Sequence, residues 1–380
     1  MDVVTPGDRK RYRIAVVGAG AIAGGRHMPA VRAHADRVEV VSVVDVDGGR
    51  AAAFAAEWGV GRSGTDLAAA LAADRPDLVI VCTPPASHRD AVLECLAAGA
   101  WVWCEKPPAL SLAEYDEMAA SERAGGPYVG YVFQHRFGSA ARALRRQIAD
   151  GALGRPLVGV CHTLWYRDDA YYTAPWRGTW ASEGGGPTMG HGIHQMDLML
   201  SLLGDWREVR AMMGTLARDV ETEDVSVAAV GFESGALVSV VNSVLSPRQE
   251  SYLRFDFSDA TVELSHLYGY DNADWTWTPR EGVGEERARS WRPASDVPSS
   301  HAAQLGAFLD AMDSGVRPPA SGDDGRRSME LITGLYRSAV TGRPVLRSEL
   351  GPGSPFYERL DGGRRRESDT PARDETEVAR

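Results

Sequence analysis

The sequence predicts an α/β protein: an N-terminal Rossmann dinucleotide-binding domain followed by a C-terminal α+β domain with an open, mostly antiparallel sheet. Three observations lead there. From residue 12 to 131, short β-branched runs alternate with alanine-rich helical stretches, the pattern of a parallel sheet covered by helices on both faces. The first of these runs ends in a glycine-rich turn, VVGAGAIAGG. After residue 132 the strand-like runs lengthen and follow one another across turn residues, as strands of an antiparallel sheet do.

In order, YRIAVV, VEVVSVV, DLVIVCT and WVWCE read as strands, and AIAGGRHMPAVRAHA, GGRAAAFAAEW, HRDAVLECLAAG and LAEYDEMAASERAG as the helices between them. These strands are apolar without alternation, which fits burial on both sides. A helix, SAARALRRQIADG, opens the second half, and LVGVCHTLWY, VSVAAVGF, ALVSVVNSVL and YLRFDFSD follow as strands. Two late helices, HAAQLGAFLDAMDSG and GRRSMELITGLYRSAV, are expected to complete the C-terminal domain. The domains are expected at 12–131 and 132–347. Residues 1–11 and 351–380, charged and poor in apolar side chains, are expected to be disordered.

A chain of 380 residues, 44% apolar and 24% charged, can bury two cores. Its formal charge of −11 argues against nucleic acid or an anionic membrane as partner. No apolar run approaches the roughly 20 residues that span a bilayer, and the N-terminus has no signal-peptide pattern. A cytoplasmic protein is therefore expected. Cys82, Cys95, Cys104 and Cys161 form no CxxC pair and read as small buried apolar residues rather than zinc ligands or disulfides.

The glycine turn carries the first chemistry. Gly18 permits the tight turn, Gly20 lets backbone approach a pyrophosphate, and Ala23 is small enough for helix and strand to pack. Ala21 and Ile22 open the helix, whose N-terminal amides favour phosphate. Asp45 ends the second strand, where an acid accepts hydrogen bonds from a ribose and repels a 2′-phosphate. Residues 46–48 supply no arginine for that phosphate, so NAD is expected rather than NADP.

Further segments add specificity: CTPPASH, CEKPPAL, HRF at 135–137 and GGGPTMGHGIHQMDL. Together with GAGAIAGGRHMPA, and in this order over about residues 12 to 345, they resemble the Gfo/Idh/MocA family of NAD(P)-dependent oxidoreductases. The resemblance implies a dehydrogenase or reductase acting on a hydroxyl or carbonyl of a sugar, cyclitol or related polyol. It further implies a homodimer or homotetramer formed through the C-terminal sheet. It sets Thr83, Pro84 and His88 along the cofactor. It places Lys106, within Glu105-Lys106-Pro107, beside the nicotinamide. His194 would exchange the proton, and Asp197 would lie near the substrate or orient its neighbours.

The chemistry is consistent with these residue types. Hydride removal from an alcohol carbon requires that the hydroxyl proton also leave, so the site needs a base or relay. Lysine, ordinarily near pKa 10.4, becomes able to share a proton when buried beside a cation.

On a helical wheel of about 100° per residue, Met196, Met199, Leu200 and Leu203 form an apolar face, and His194, Asp197 and Ser201 form a narrow polar stripe. A buried polar stripe must be hydrogen-bonded or face a pocket. His191 falls away from it and is expected in a loop or behind the substrate. The spread of His191, His194 and Asp197, with no HExxH nearby, argues against a metal centre.

One departure stands out. Many members of the family carry an aspartate four residues before the histidine, and here that position is Gly190. This keeps two alternatives open: an enzyme that retains its NAD through elimination, epimerisation or glycoside cleavage, or a non-catalytic NAD-binding regulator. Upstream, HTLWYRDDAYYTAPWRGTW is dense in aromatic and guanidinium groups suited to sugar faces and hydroxyls. Tyr166, Arg167, Tyr172, Trp176 and Arg177 are its substrate-side candidates, beside His191 and Asp197.

Overall fold

A computed structural model describes residues 11–363. Six strands, β1 Tyr12–Val17, β2 Val38–Val44, β3 Ser63–Gly64, β4 Leu78–Val81, β5 Trp101–Cys104 and β6 Val129–Tyr131, form one sheet in the order β3-β2-β1-β4-β5-β6. Every pairing in it is parallel. Strand order reverses between β1 and β4, and in such sheets ligands bind outside the carboxyl ends of the strands at that switch point. The connecting helices are α1 Met28–Ala33, α2 Gly48–Trp58, α3 Leu67–Asp74, α4 His88–Ala97 and α5 Leu112–Ala120. Asp47 and Asp66 start α2 and α3 by accepting the N–H groups of Arg50 and Ala69.

The second sheet has eight strands: β7 Pro156–Tyr166, β8 Trp206–Gly214, β9 Val225–Phe232, β10 Leu237–Ser243, β11 Leu245–Phe257, β12 Ala260–His266, β13 Trp275–Pro279 and β14 Val345–Leu346. Their order is β13-β12-β11-β7-β10-β9-β8-β14, antiparallel except for the parallel β7–β10 pair. The expected α/β fold with an open, mostly antiparallel second sheet is thus found. The remaining helices are α6 Ser139–Ala149, α7 Pro187–Gly190, α8 Ile193–Leu203, α9 Glu285–Ser290, α10 His301–Ser314, α11 Asp323–Thr341 and α12 Pro355–Glu358. Side chains alternate along the strands: Cys161, Thr163 and Trp165 of β7 are buried beneath α8, while Val158 and Tyr166 face outward.

Two expectations need correction. Helix α10 does not complete the C-terminal domain: its Leu305, Phe308 and Leu309 share a core with Ile14 and Val16 of β1 and with Met28 and Val31 of α1. Ala23, Met28, Ala30 and Val31 of the helical stretch 21–33 cover part of that face of the parallel sheet, and α10 packs beside them to finish it. The segment after Gly351 is also not uniformly disordered. Phe356 and Leu360 are buried, and the Tyr357 hydroxyl donates to Asp116 of α5 at 2.9 Å. The rest of the expected tail, residues 364–380, and residues 1–10 lie outside the described residues. Among the described residues no helix is long and apolar enough to cross a membrane.

Candidate active site

A cleft of about 1240 Å³ runs from the carboxyl ends of β1, β2, β4 and β5 to the buried face of the second sheet. At its nucleotide end, Gly18 has φ +92°, and a Cβ there would stand 2.8 Å from the Cys82 carbonyl carbon. Only glycine lets β1 turn this close to the end of β4. At Gly20 a Cβ would meet nothing within 4 Å, so the turn leaves an open cradle beside backbone amides. Ala21, Ile22, Thr83 and Pro84 line the same cleft.

Asp45 is buried, and its two oxygens accept the N–H groups of Ala19 at 2.8 Å and Asp47 at 2.9 Å. It therefore braces the glycine turn as well as ending β2. Arg50, two residues beyond Gly48, also lines the cleft, with Nη1 3.5 Å from Asp45 Oδ1.

At the other end, Lys106 follows β5 and donates from Nζ to the Gly190 carbonyl at 2.8 Å. Burial pushes its pKa below the usual lysine range, with Arg177 and Arg167 adding to the effect and Glu105 and Glu183 opposing it. Glu105 also borders the cleft, but its carboxylate is turned to buried histidines, 2.8 Å from His27 Nε2 and 3.6 Å from His301 Nε2. Burial would push this carboxyl up; the hydrogen bond from His27, with the His301 ring close by, reverses that and holds it well below the usual range.

His194, at the start of α8, and His191, just before it, both line the cleft and are nearly fully buried. Burial holds both well below the usual histidine pKa, reinforced by Lys106 and, at His191, most strongly by Arg167. Both rings are neutral near pH 7. Arg167 Nε donates to His191 Nε2 at 3.3 Å, which assigns the remaining ring proton to Nδ1. The loop carrying them is held by Glu223, whose buried carboxylate accepts the N–H groups of Gly186 and Thr188 and the Tyr336 hydroxyl. A Cβ at Gly186 would collide with the Glu223 carbonyl, so the glycine run before α7 serves close packing.

Four candidates lie elsewhere. Asp197 does not share a cleft-facing stripe with His194; it is buried in an ion pair, accepting from Arg136 Nε at 2.6 Å and from the Ser328 hydroxyl at 2.9 Å. His88 does not line the cleft. Its ring nitrogens stand 2.8 Å and 2.9 Å from the Pro107 and Thr83 carbonyls, tying the two cleft-edge loops together. Tyr166 faces outward on the sheet, with Arg218 stacked on its ring. Tyr172 packs edge-on against Tyr171, and it is Tyr171 that lines the cleft.

Arg167, Trp176 and Arg177 do line it. So do Trp165, Glu183 and Tyr268, none of which belongs to a motif that marks it in the sequence. Glu183 is buried, accepting Gly178 N–H at 2.7 Å and Arg177 Nη1 at 2.9 Å. The cleft thus joins a glycine cradle at the switch point to a pocket of one lysine, two neutral histidines, two arginines and several aromatic faces. Such a pocket can bind a polyhydroxylated ring, polarise one oxygen and move its proton.

Comparison with known proteins agrees with this architecture. Residues 12–131 match the model of an oxidoreductase family with an NAD-binding Rossmann fold, and residues 141–263 match the GFO/IDH/MocA C-terminal domain. The chain is 28% identical to D-glucoside 3-dehydrogenase of Escherichia coli K12 over 88% of its length and 97% of that protein's. It is 28% identical to D-apiose dehydrogenase of Paraburkholderia graminis, over 93% of this chain and 94% of the relative. Among solved structures, the WlbA dehydrogenase of Bordetella pertussis in complex with NADH and UDP-GlcNAcA aligns with a TM-score of 0.80 and 27% identity. That alignment covers 89% of this chain and 98% of the other.

Proposed function

The chain belongs to the GFO/IDH/MocA family of NAD-binding oxidoreductases, and on that premise we propose that it transfers a hydride between nicotinamide and a hydroxyl or carbonyl carbon of a sugar, cyclitol or related polyol. The observation that carries the reading is the placement of Lys106, His191 and His194 in one cleft with the glycine turn of β1. Full-length relatives that are sugar dehydrogenases support the substrate class.

The open cradle at Gly20 and the amides of Ala21 and Ile22 suit a pyrophosphate, and Asp45 suits an adenosine ribose. NAD bound there supplies the hydride acceptor or donor. On the substrate side, Lys106 Nζ donates to the reacting oxygen and stabilises its developing charge. His194, neutral and desolvated, takes the hydroxyl proton in the oxidative direction and returns it in the reductive one. Arg167, Trp176 and Arg177 hold the remaining hydroxyls, and His191 fixes Arg167.

The outer face of the second sheet is the surface proposed for self-association. Across β7, β10, β9 and β8 one row presents His162, Val241, Val227 and Met212; Val227 is 51% and Met212 78% exposed. An apolar row of this kind suits a second copy better than water.

The test is a screen of sugars, cyclitols and their keto forms, followed by NADH absorbance. Turnover on one class supports the reading, and absence of turnover by a protein that binds NAD refutes it.

A further inference from the structure

Glu183 stands where no sequence motif pointed. Lys106 is one of only two lysines in a chain with 41 lysines and arginines, the other being Lys10. Arginine cannot give up its proton near neutrality and lysine can, so this cationic position differs in kind from the arginines around it. Lys106 is half-buried, and an ammonium largely withdrawn from water needs a counter-charge. The adjacent carboxylate, Glu105, is committed to His27 and His301. Position 190, whose carbonyl receives the Lys106 Nζ–H, has no side chain to offer one.

The space beside position 190 is nevertheless occupied by an acid. An ideal Cβ on Gly190 would lie 3.5 Å from Glu183 Oε1, an ordinary van der Waals contact. That carboxylate is buried and oriented by the Gly178 N–H and Arg177. It lines the same cleft as Lys106.

We propose that Glu183 is the positioning acid of Lys106: from the loop after Trp176 it supplies the negative charge that position 190 does not, keeping the ammonium protonated and aimed at the substrate oxygen. The proposal rests on the reading of Lys106 as the group that shares the proton. The charged and titratable groups facing Lys106 are Glu105, Glu183, Arg167 and Arg177, with the neutral rings of His191 and His194. Glu183 is the acid among them that carries no histidine, and it opposes the two arginines.

With two lysines, the full chain labelled with ¹³C at lysine Cε gives two side-chain resonances, assigned by Lys10→Arg, so the Lys106 titration is read without substrate or cofactor. Glu183→Gln keeps the shape and removes the charge; the Lys106 midpoint is expected to fall by about one pH unit. Glu183→Ala combined with Gly190→Asp puts a carboxylate back from the other side of the gap and is expected to restore the midpoint. Gly190→Asp alone, with Glu183 intact, is expected to raise it, which keeps the test open should the Glu183 variants fold poorly. An unmoved midpoint in folded Glu183→Gln, a folded double variant without restoration, or an unmoved midpoint in Gly190→Asp would overturn the proposal. If the midpoints move as expected while no polyol is turned over, the functional reading fails and the Lys106–Glu183 couple stands. Turnover with unmoved midpoints has the opposite meaning.

Discussion

Asp197 and Arg136 form a buried bidentate ion pair between α8 and the HRF segment, and a second acid, Asp324 at the start of α11, accepts from Arg136 Nη1 at 2.9 Å. The pair ties three elements behind the cleft and has no face toward it. Removing one partner strands the other charge in a low-dielectric interior. Asp197→Ala is therefore expected to lose about 3–5 kcal/mol of stability, read by chemical denaturation, while kcat of the folded fraction stays within a few-fold of wild type. A stable variant with abolished turnover would return Asp197 to the substrate side.

The nucleotide end carries its own prediction. Asp45 holds the Ala19 amide and lies 3.5 Å from Arg50, which lines the cleft. Replacing Asp45 by Ser removes the repulsion toward a 2′-phosphate and frees Arg50 to receive one. The ratio of KM values is expected to move toward NADP by about tenfold or more, equivalent to about 1.4 kcal/mol. An unchanged ratio would mean that the discrimination lies elsewhere.

His135 sets a pH dependence of stability. It is 1% exposed, neither ring nitrogen has a hydrogen-bond partner among the described residues, and burial pushes its pKa down to about 3. Because the folded value lies below the unfolded one, near 6.5, the unfolded chain binds the extra proton first. Stability from this group is present above about pH 6.5 and is lost as the pH falls toward 3. Between pH 7.5 and 5.5 it accounts for a loss of about 1.4 kcal/mol. His135→Phe should lose that much less than wild type over this interval in urea titrations; an equal loss in both proteins would assign the effect to other histidines.

Much of the architecture was legible because its signals are local. Unalternating apolar runs marked the parallel sheet, and the glycine turn marked its switch point. The misses share a cause, which is that direction depends on tertiary partners. Tyr166 and Trp165 are neighbours in one aromatic run, yet strand alternation sends one outward and the other into the cleft. Asp197 shares a helical stripe with His194, but Arg136, distant in sequence, claims it. Helix α10 looked like part of the second domain because nothing in its sequence says that it packs beside α1 and β1, nearly three hundred residues earlier. Glu183 gave no signal at all: a lone acid before three glycines becomes informative only once Gly190 is seen to lie against it.

Self-association through the outer sheet face is tested by charge. Val227→Asp with Met212→Asp places two carboxylates at directly opposed positions of β9 and β8. Sedimentation velocity should then show a smaller species than wild type, with unchanged circular dichroism. An identical sedimentation coefficient would remove this face as the interface.

In the proposed reaction Lys106 and His194 together handle the reacting oxygen and its proton. Steady-state kinetics of Lys106→Ala and His194→Ala on the polyol found by screening, with NAD affinity measured in parallel, separates this chemistry from cofactor binding. Each substitution is expected to lower kcat by about 100-fold or more while NAD binds within a few-fold of wild type. Wild-type turnover by either variant would remove that side chain from the chemistry.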